Sequence, residues 1–248
     1  MINDGIQRTD FDIDAFLMIG QSNMAGRGEL DGTPGITNPK CYMQRNGRWQ
    51  PMSEPINPDR GIFAGEYRSG ANLCASFADL YARKYERRVG LIPCADGGTS
   101  IDLWQPGCEL YDHALFCAKL AMRTANLKAI LFHQGESNCH GMSTEVYTKR
   151  LVSLIEGLRH DLGLPNIPFI AGELTERIDE SKWRTTAADT RRYNENFHSL
   201  VGVIPNFAVA CAKELPLKPD GIHFSTPSLR ELGRRYFDIY EKNFAEGI

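Results

Sequence analysis

The segment Gly20-Gln21-Ser22-Asn23-Met24-Ala25-Gly26 follows directly on the apolar run Ala15-Phe16-Leu17-Met18-Ile19. A hydroxyl on a turn between a strand and a helix stands clear of the backbone, and the N–H groups of such a turn can aim at a developing oxyanion. Those are the requirements of a serine nucleophile, which makes Ser22 a candidate. The same residues also suit an ordinary turn or helix cap. The segment is not the G-x-S-x-G elbow, because Met24 stands at the last glycine position.

Three more polar clusters follow apolar runs or precede a helix. Asp96-Gly97-Gly98-Thr99-Ser100-Ile101 has paired glycines, which let a backbone N–H approach a ligand closely or simply form a flexible turn. It lacks the Gly-Lys-Ser/Thr ending of a phosphate loop. His133-Gln134-Gly135-Glu136-Ser137-Asn138 puts several hydrogen-bonding side chains at the end of an apolar run. Burying them is costly unless they find partners or a ligand, and a loop-organising polar network would serve equally. In Asp220-Gly221-Ile222-His223-Phe224 the spacing lets a carboxylate orient an imidazole, as a general base requires. His133, Cys139, His140 and Cys108 are conceivable metal ligands. No C-x-x-C or H-E-x-x-H pattern supports them, so neither a metal nor any other cofactor is expected.

These clusters need a scaffold that gathers them. Runs without polar alternation, Ala15–Ile19, Val89–Pro93, Ala129–Phe132, Ile167–Ala171 and Phe207–Ala210, read as strands covered on both faces. Helical period appears between them, in Ala71–Arg87 and Tyr147–Leu162, the latter stopped by Gly163 and Pro165. Thr226 before Pro227 reads as an N-cap with proline at N1, opening a last helix to about Phe244. Strands alternating with helices predict an α/β fold, a three-layer α/β/α sandwich around a mostly parallel five-stranded sheet. Ligands bind such sheets outside the carboxyl ends of the strands, where the first three clusters fall. Gly28 to Gly70, rich in Gly, Pro, Asn and Arg, reads as a long irregular insertion. No repeat or linker interrupts the 248 residues, which predicts one domain over 1–248.

Composition narrows the partners. A net charge of -3 with 24% charged residues gives no electrostatic reason to expect nucleic acid or an anionic membrane. No run approaches a transmembrane span. Seven cysteines without paired spacing suggest reduced thiols, and Ala15–Ile19 is too short for a signal-peptide core. The expectation is a cytoplasmic protein acting on a small molecule.

Taken together, the four clusters resemble the SGNH hydrolase superfamily, in particular its sialate O-acetylesterase-like branch, carbohydrate esterase family 6. Gly-Gln-Ser-Asn-Met, Gly-Gly-Thr-Ser-Ile, His-Gln-Gly-Glu-Ser and Asp-Gly-Ile-His-Phe occur in the expected order from Gly20 to Phe224. The resemblance implies an SGNH, flavodoxin-like fold and a serine esterase removing O-acetyl groups from sialic acid or xylan-type oligosaccharides. Ser22 would be the nucleophile and His223 the base. The backbone N–H of Ser22, that of Gly98 (or Gly97) and the Gln134 side chain would hold the oxyanion. Asp220 is the favoured triad acid, with Glu136 a second candidate. The block ends Ser137-Asn138 where many relatives have Ser-Asp, with little catalytic consequence expected. Trp104, Tyr67 and Trp49 are candidates to stack on a sugar, and Arg27, Arg60 and Arg68 to pair with an acidic one. Other readings are a lipase- or thioesterase-like SGNH hydrolase and a non-catalytic carbohydrate-binding protein.

Overall fold

The computed structural model describes residues 12–30, 32, 34–57 and 69–245. Strand β1 (Ile13–Gly20) lies inside the sheet, so its side chains alternate between two cores. Ala15, Leu17 and Ile19 enter one, Phe16 and Met18 the other. The remaining strands are β2 (Cys41–Arg45), β3 (Arg48–Pro51), β4 (Arg88–Pro93), β5 (Asn126–His133), β6 (Phe169–Gly172) and β7 (Phe207–Ala210). They form one seven-stranded sheet in the order β3-β2-β4-β1-β5-β6-β7. Every neighbouring pair is parallel except β2 with β3.

The five strands expected are therefore β1, β4, β5, β6 and β7, and the sheet is two strands wider than expected. The extra pair comes from the stretch read as irregular. β2 and β3 form a hairpin across Asn46-Gly47, both in the left-handed region (φ 52° and 71°). Positive φ at both central residues characterises the type I′ turn, whose twist matches that of the flanking strands. Glu54, also in this stretch, forms an ion pair with Arg230 and accepts the Asn72 N–H at 2.8 Å.

Helices α2 (Leu73–Tyr85) and α6 (Thr226–Phe244) cover one face of the sheet, and α3 (Glu109–Ala121), α4 (Thr144–Leu162) and α5 (Ala187–Ser199) the other. This is the three-layer α/β/α arrangement. On the first face Phe16 meets Phe77, Tyr81 and Tyr240 edge-on, with ring centroids 4.7, 5.0 and 5.5 Å apart. Such contacts add roughly 0.5–1.5 kcal/mol each beyond area burial. α6 begins one residue earlier than the sequence suggests. Ser225 is its N-cap, accepting the Ser228 N–H, and Thr226 instead donates its hydroxyl to the Glu29 carbonyl at 2.6 Å.

The chain runs from β1 to β4 on one side and then to β5 on the other. The carboxyl end of β1 is thus the topological switch point, where open α/β sheets place their binding crevice. No helix among the described residues is long and apolar enough to cross a membrane.

Candidate active site

Ser22 leaves the sheet at this switch point. Gly20, at φ 133°, pairs with His133 so closely that a Cβ there would lie 2.1 Å from the His133 carbonyl oxygen. Only glycine permits both the dihedral and the approach. Gln21 then donates its N–H to that carbonyl at 2.9 Å and accepts from Met24 and Ala25, closing the short helix α1 (Ser22–Ala25). Met24 and Ala25 are buried in the α2–α6 core, and Asn72 donates to the Met24 carbonyl at 2.6 Å. Ser22 is thus set on a turn anchored from below.

The loop after β4 closes on it from one side. Asp96 donates its N–H to the Gly20 carbonyl at 2.9 Å. A Cβ on Gly97 would lie 3.6 Å from the Ser22 Cβ and 2.4 Å from an Arg27 guanidinium nitrogen, so a side chain there would crowd both. Gly98 lies beyond it, exposed, at φ 75°.

From the other side comes the turn after β7. His223 Nδ1 is 3.0 Å from Asp220 Oδ2, while Asp220 Oδ1 accepts the N–H groups of His223 at 3.0 Å and Ile222 at 3.1 Å. An ionised carboxylate only accepts, so the ring proton sits on Nδ1 and Nε2 keeps its lone pair. Burial pushes the Asp220 carboxyl up, but the two N–H groups and the imidazole outweigh it and its pKa falls below the ordinary value. Burial draws the His223 pKa down and Asp220 draws it up; with the Arg27 charge also lowering it, the net shift is downward, which favours the neutral imidazole. The turn is held by the loop after β6: Trp183 Nε1 donates to the Asp220 carbonyl and Lys182 Nζ to that of Pro219, both at 2.8 Å.

Ser22, Gly97, Gly98, Glu136 and His223 line one cleft of about 420 Å³. No hydrogen bond joins the Ser22 hydroxyl to His223 among the described residues, and catalytic pairs often tighten only when substrate is bound.

Glu136 faces the same cleft but makes a different connection. It is buried, its Oε1 accepts from Asn23 Nδ2 at 2.8 Å and lies 3.6 Å from His133 Nε2. Burial raises its pKa, but His133 and Asn23 outweigh burial and the net shift is downward. No hydrogen bond joins it to His223 among the described residues, though its charge raises the His223 pKa. Asn23 also donates to the Ile222 carbonyl and accepts the Phe224 N–H, so it ties Glu136 to the histidine turn.

Gln134 departs from expectation. It is fully buried and does not line the cleft. Its Oε1 accepts from Tyr147, while its Nε2 lies 3.0 Å from the Thr99 carbonyl and 2.6 Å from Asn138 Oδ1. A side-chain amide has two N–H groups, and these acceptors use both. In this arrangement the amide faces Thr99 and Asn138, with Gln21 Oε1 also 3.3 Å away, and Gln134 fastens the third cluster to the second and the first. Asn138, expected to matter little, joins it in doing so, accepting the Ile101 N–H at 3.0 Å and donating to Ser100 Oγ at 2.8 Å.

Two of the six residues proposed for sugar contact lie elsewhere. Trp104 is fully buried, donating to Thr99 Oγ1, and Trp49 on β3 donates to Thr124. Tyr67, Arg60 and Arg68 lie outside the described residues. Arg27 does reach the cleft, with His140, Lys182, Trp183 and Arg184, which the sequence reading missed. Nothing local marks the last three, which arrive by packing of the loop after β6, whereas His140 lies four residues beyond Glu136 in the turn that continues the third cluster. The conceivable metal set, His133, Cys139, His140 and Cys108, is not gathered into one group of ligand atoms among the described residues.

Among known proteins, the family described as carbohydrate esterase, sialic acid-specific acetylesterase, matches residues 12–242. The chain belongs to this family. It is accordingly a carboxylic ester hydrolase of the carbohydrate esterase type. A probable carbohydrate esterase of Arabidopsis thaliana is 29% identical over 92% of this chain and 90% of its own length. The solved structure of that Arabidopsis protein superposes with a TM-score of 0.81 at 27% identity, covering 94% of this chain and 99% of the other. NanS shares the fold, with a TM-score of 0.71 at 14% identity over 92% of this chain and 97% of its own. A carbohydrate acetylesterase from Xanthomonas citri does so at 0.63 and 18% identity, covering 93% of this chain and 56% of that one.

Proposed function

We propose that this esterase removes O-acetyl groups from carbohydrates by two-step acyl transfer through Ser22, with the chain acting as one catalytic domain. The observation that carries the reading is the Asp220–His223 pair, hydrogen-bonded at 3.0 Å, opening on the same cleft as Ser22. Ser22 Oγ attacks the acetyl carbonyl as His223 Nε2 takes its proton. The backbone N–H of Ser22 and that of Gly98, or its neighbour Gly97, stabilise the oxyanion. His223 returns the proton to the departing sugar oxygen. Water, deprotonated by the same imidazole, then releases acetate from the acyl-serine. Asp220 is the acid that orients His223 in this mechanism, and Glu136 positions Asn23 and adds charge.

The cleft's rim supports an anionic sugar over a neutral one. Arg27 and Arg184 supply cationic groups there, beside a Lys182 already paired with Asp179 at 2.7 Å, and guanidinium groups suit a carboxylate such as that of an O-acetylated sialic acid. The test is a deacetylation screen of O-acetylated sialic acids against acetylated xylooligosaccharides, with Ser22→Ala as control. The proposal expects release of acetate, faster from the acidic sugars, and loss of on the order of 10⁴-fold or more in the control. Wild-type turnover by Ser22→Ala would overturn the mechanism. Rates that climb with acyl length on p-nitrophenyl esters would favour a lipase-like enzyme instead.

A further inference from the structure

His113 and Cys117 stand four residues apart on α3, one helical turn, and so share a stripe of that helix. Cys94 directly follows the last residue of β4. Their ligand atoms, the two sulfurs and a ring nitrogen, all lie within 4.8 Å of one another. His113 Nε2 is 3.8 Å from Cys117 Sγ. In a tetrahedral zinc site, with Zn–S near 2.3 Å and Zn–N near 2.0–2.1 Å, neighbouring donor atoms are about 3.5–3.8 Å apart. The three donors already span roughly one face of such a tetrahedron, and small side-chain rotations would close the remainder.

Core packing accounts for Cys94, which is buried, and in part for Cys117, which lies against the same core, but not for His113. Cys117 is half-buried and His113 exposed, so the stripe opens outward to solvent. Two sulfurs and an imidazole form the donor set preferred by a soft or borderline divalent ion. None of the three lines the catalytic cleft. We propose that Cys94, His113 and Cys117 bind one zinc ion, with a water molecule as the fourth ligand on the exposed side. Each thiol gives up its proton to solvent as its sulfur bonds the ion, and no electron is transferred. The ion ties α3 to the end of β4, four residues before Gly98, and braces the loop that lies against Ser22. The His113–Cys117 spacing is the one local sign of this set, because Cys94 reaches it from another element.

The experiment uses the untagged full chain, freed of metal with a chelator under reducing conditions and titrated with Co²⁺. The proposal expects a thiolate-to-cobalt charge-transfer band that saturates at one equivalent and is displaced by Zn²⁺. His113→Ala, an exposed change that should leave folding intact, and Cys117→Ser should abolish the band. Cys108→Ser should keep it. Added Zn²⁺ should raise the melting temperature of the wild type but not of His113→Ala. Absence of a stoichiometric band, its persistence in both ligand variants, or a Cys94–Cys117 disulfide that survives the reductant would each overturn the proposal.

Discussion

Replacing Asp220 by Asn offers the sharpest test of the triad. Asp220 Oδ1 accepts two backbone N–H groups, at 3.0 and 3.1 Å, and Oδ2 faces His223 Nδ1 at 3.0 Å. In the variant, the amide oxygen keeps the two backbone donors, which forces the NH₂ group toward Nδ1. That group can only donate, so the imidazole must carry its proton on Nε2 and has no lone pair there for the Ser22 hydroxyl. The wrong tautomer costs on the order of 10⁴-fold in kcat in a Ser-His-Asp triad. Because the turn's backbone hydrogen bonds survive, stability should change by no more than about 1–2 kcal/mol. Glu136→Gln removes a charge that reaches His223 without a hydrogen bond. Unit charges ~4 Å apart interact by about 4 kcal/mol at an effective dielectric near 20, and a charge acting without a hydrogen bond is worth less, so this loss should fall well short of that for Asp220→Asn. The assay is p-nitrophenyl acetate hydrolysis by each variant, with active serine counted by a fluorophosphonate probe and folding followed by thermal melts. A loss below ~10-fold for Asp220→Asn, with a collapse for Glu136→Gln, would refute the assignment and make Glu136 the acid.

Gln134→Ala strips partners from Tyr147, Thr99 and Asn138. It should cost about 3 kcal/mol in stability, read as a fall of roughly 6–12 °C in Tm. A 10²- to 10³-fold loss of kcat with Tm unchanged would instead mark it as a direct oxyanion donor. Because burial lowers the His223 pKa and the base must be neutral, kcat/KM should hold below pH 6.5 and fall only as the imidazole protonates. An acid-limb midpoint above 7 in the pH profile of kcat/KM would contradict this. Gly97→Ala places a methyl group 2.4 Å from an Arg27 nitrogen and 3.6 Å from the Ser22 Cβ. Steady-state kinetics should show kcat/KM reduced by at least ~10-fold, with Tm within a few degrees of wild type.

The parallel strands were legible because burial on both faces demands uninterrupted apolar runs, and the five runs seen are the five strands that carry or flank the site. The missed elements left fainter signals. Asn46-Gly47 between Arg45 and Arg48 is a strong two-residue hairpin signal, but its strands are short and half-polar. α5 buries only Thr190, Tyr193, Asn194 and Phe197, so its apolar period is weak; the Thr186–Asp189 capping box was its readable mark. In α3, an exposed Phe116 and the His113–Cys117 pair break the expected pattern of apolar and polar faces.

Within the site, residue type and order identified the candidates, while the roles depended on contacts that local sequence does not encode. Gln134 illustrates the reason. Its amide is chemically suited to hold an oxyanion, but a donor serves whichever acceptor the fold brings first, and Thr99 and Asn138 arrive from 35 residues before and four residues after. Asn23 is the converse: beside Ser22 it looks like part of a turn, yet across 113 residues it meets Glu136 and across about 200 the histidine turn. The two acids are separated by the same logic. Asp220 can reach His223 within its own turn, so three residues of sequence sufficed to favour it. Glu136 has an equally suitable carboxylate, but its Oε1 accepts from Asn23 and neither of its oxygens is hydrogen-bonded to His223 among the described residues. A catalytic assignment from sequence is therefore strongest where donor and acceptor share one turn, and weakest where a distant residue can claim the donor first.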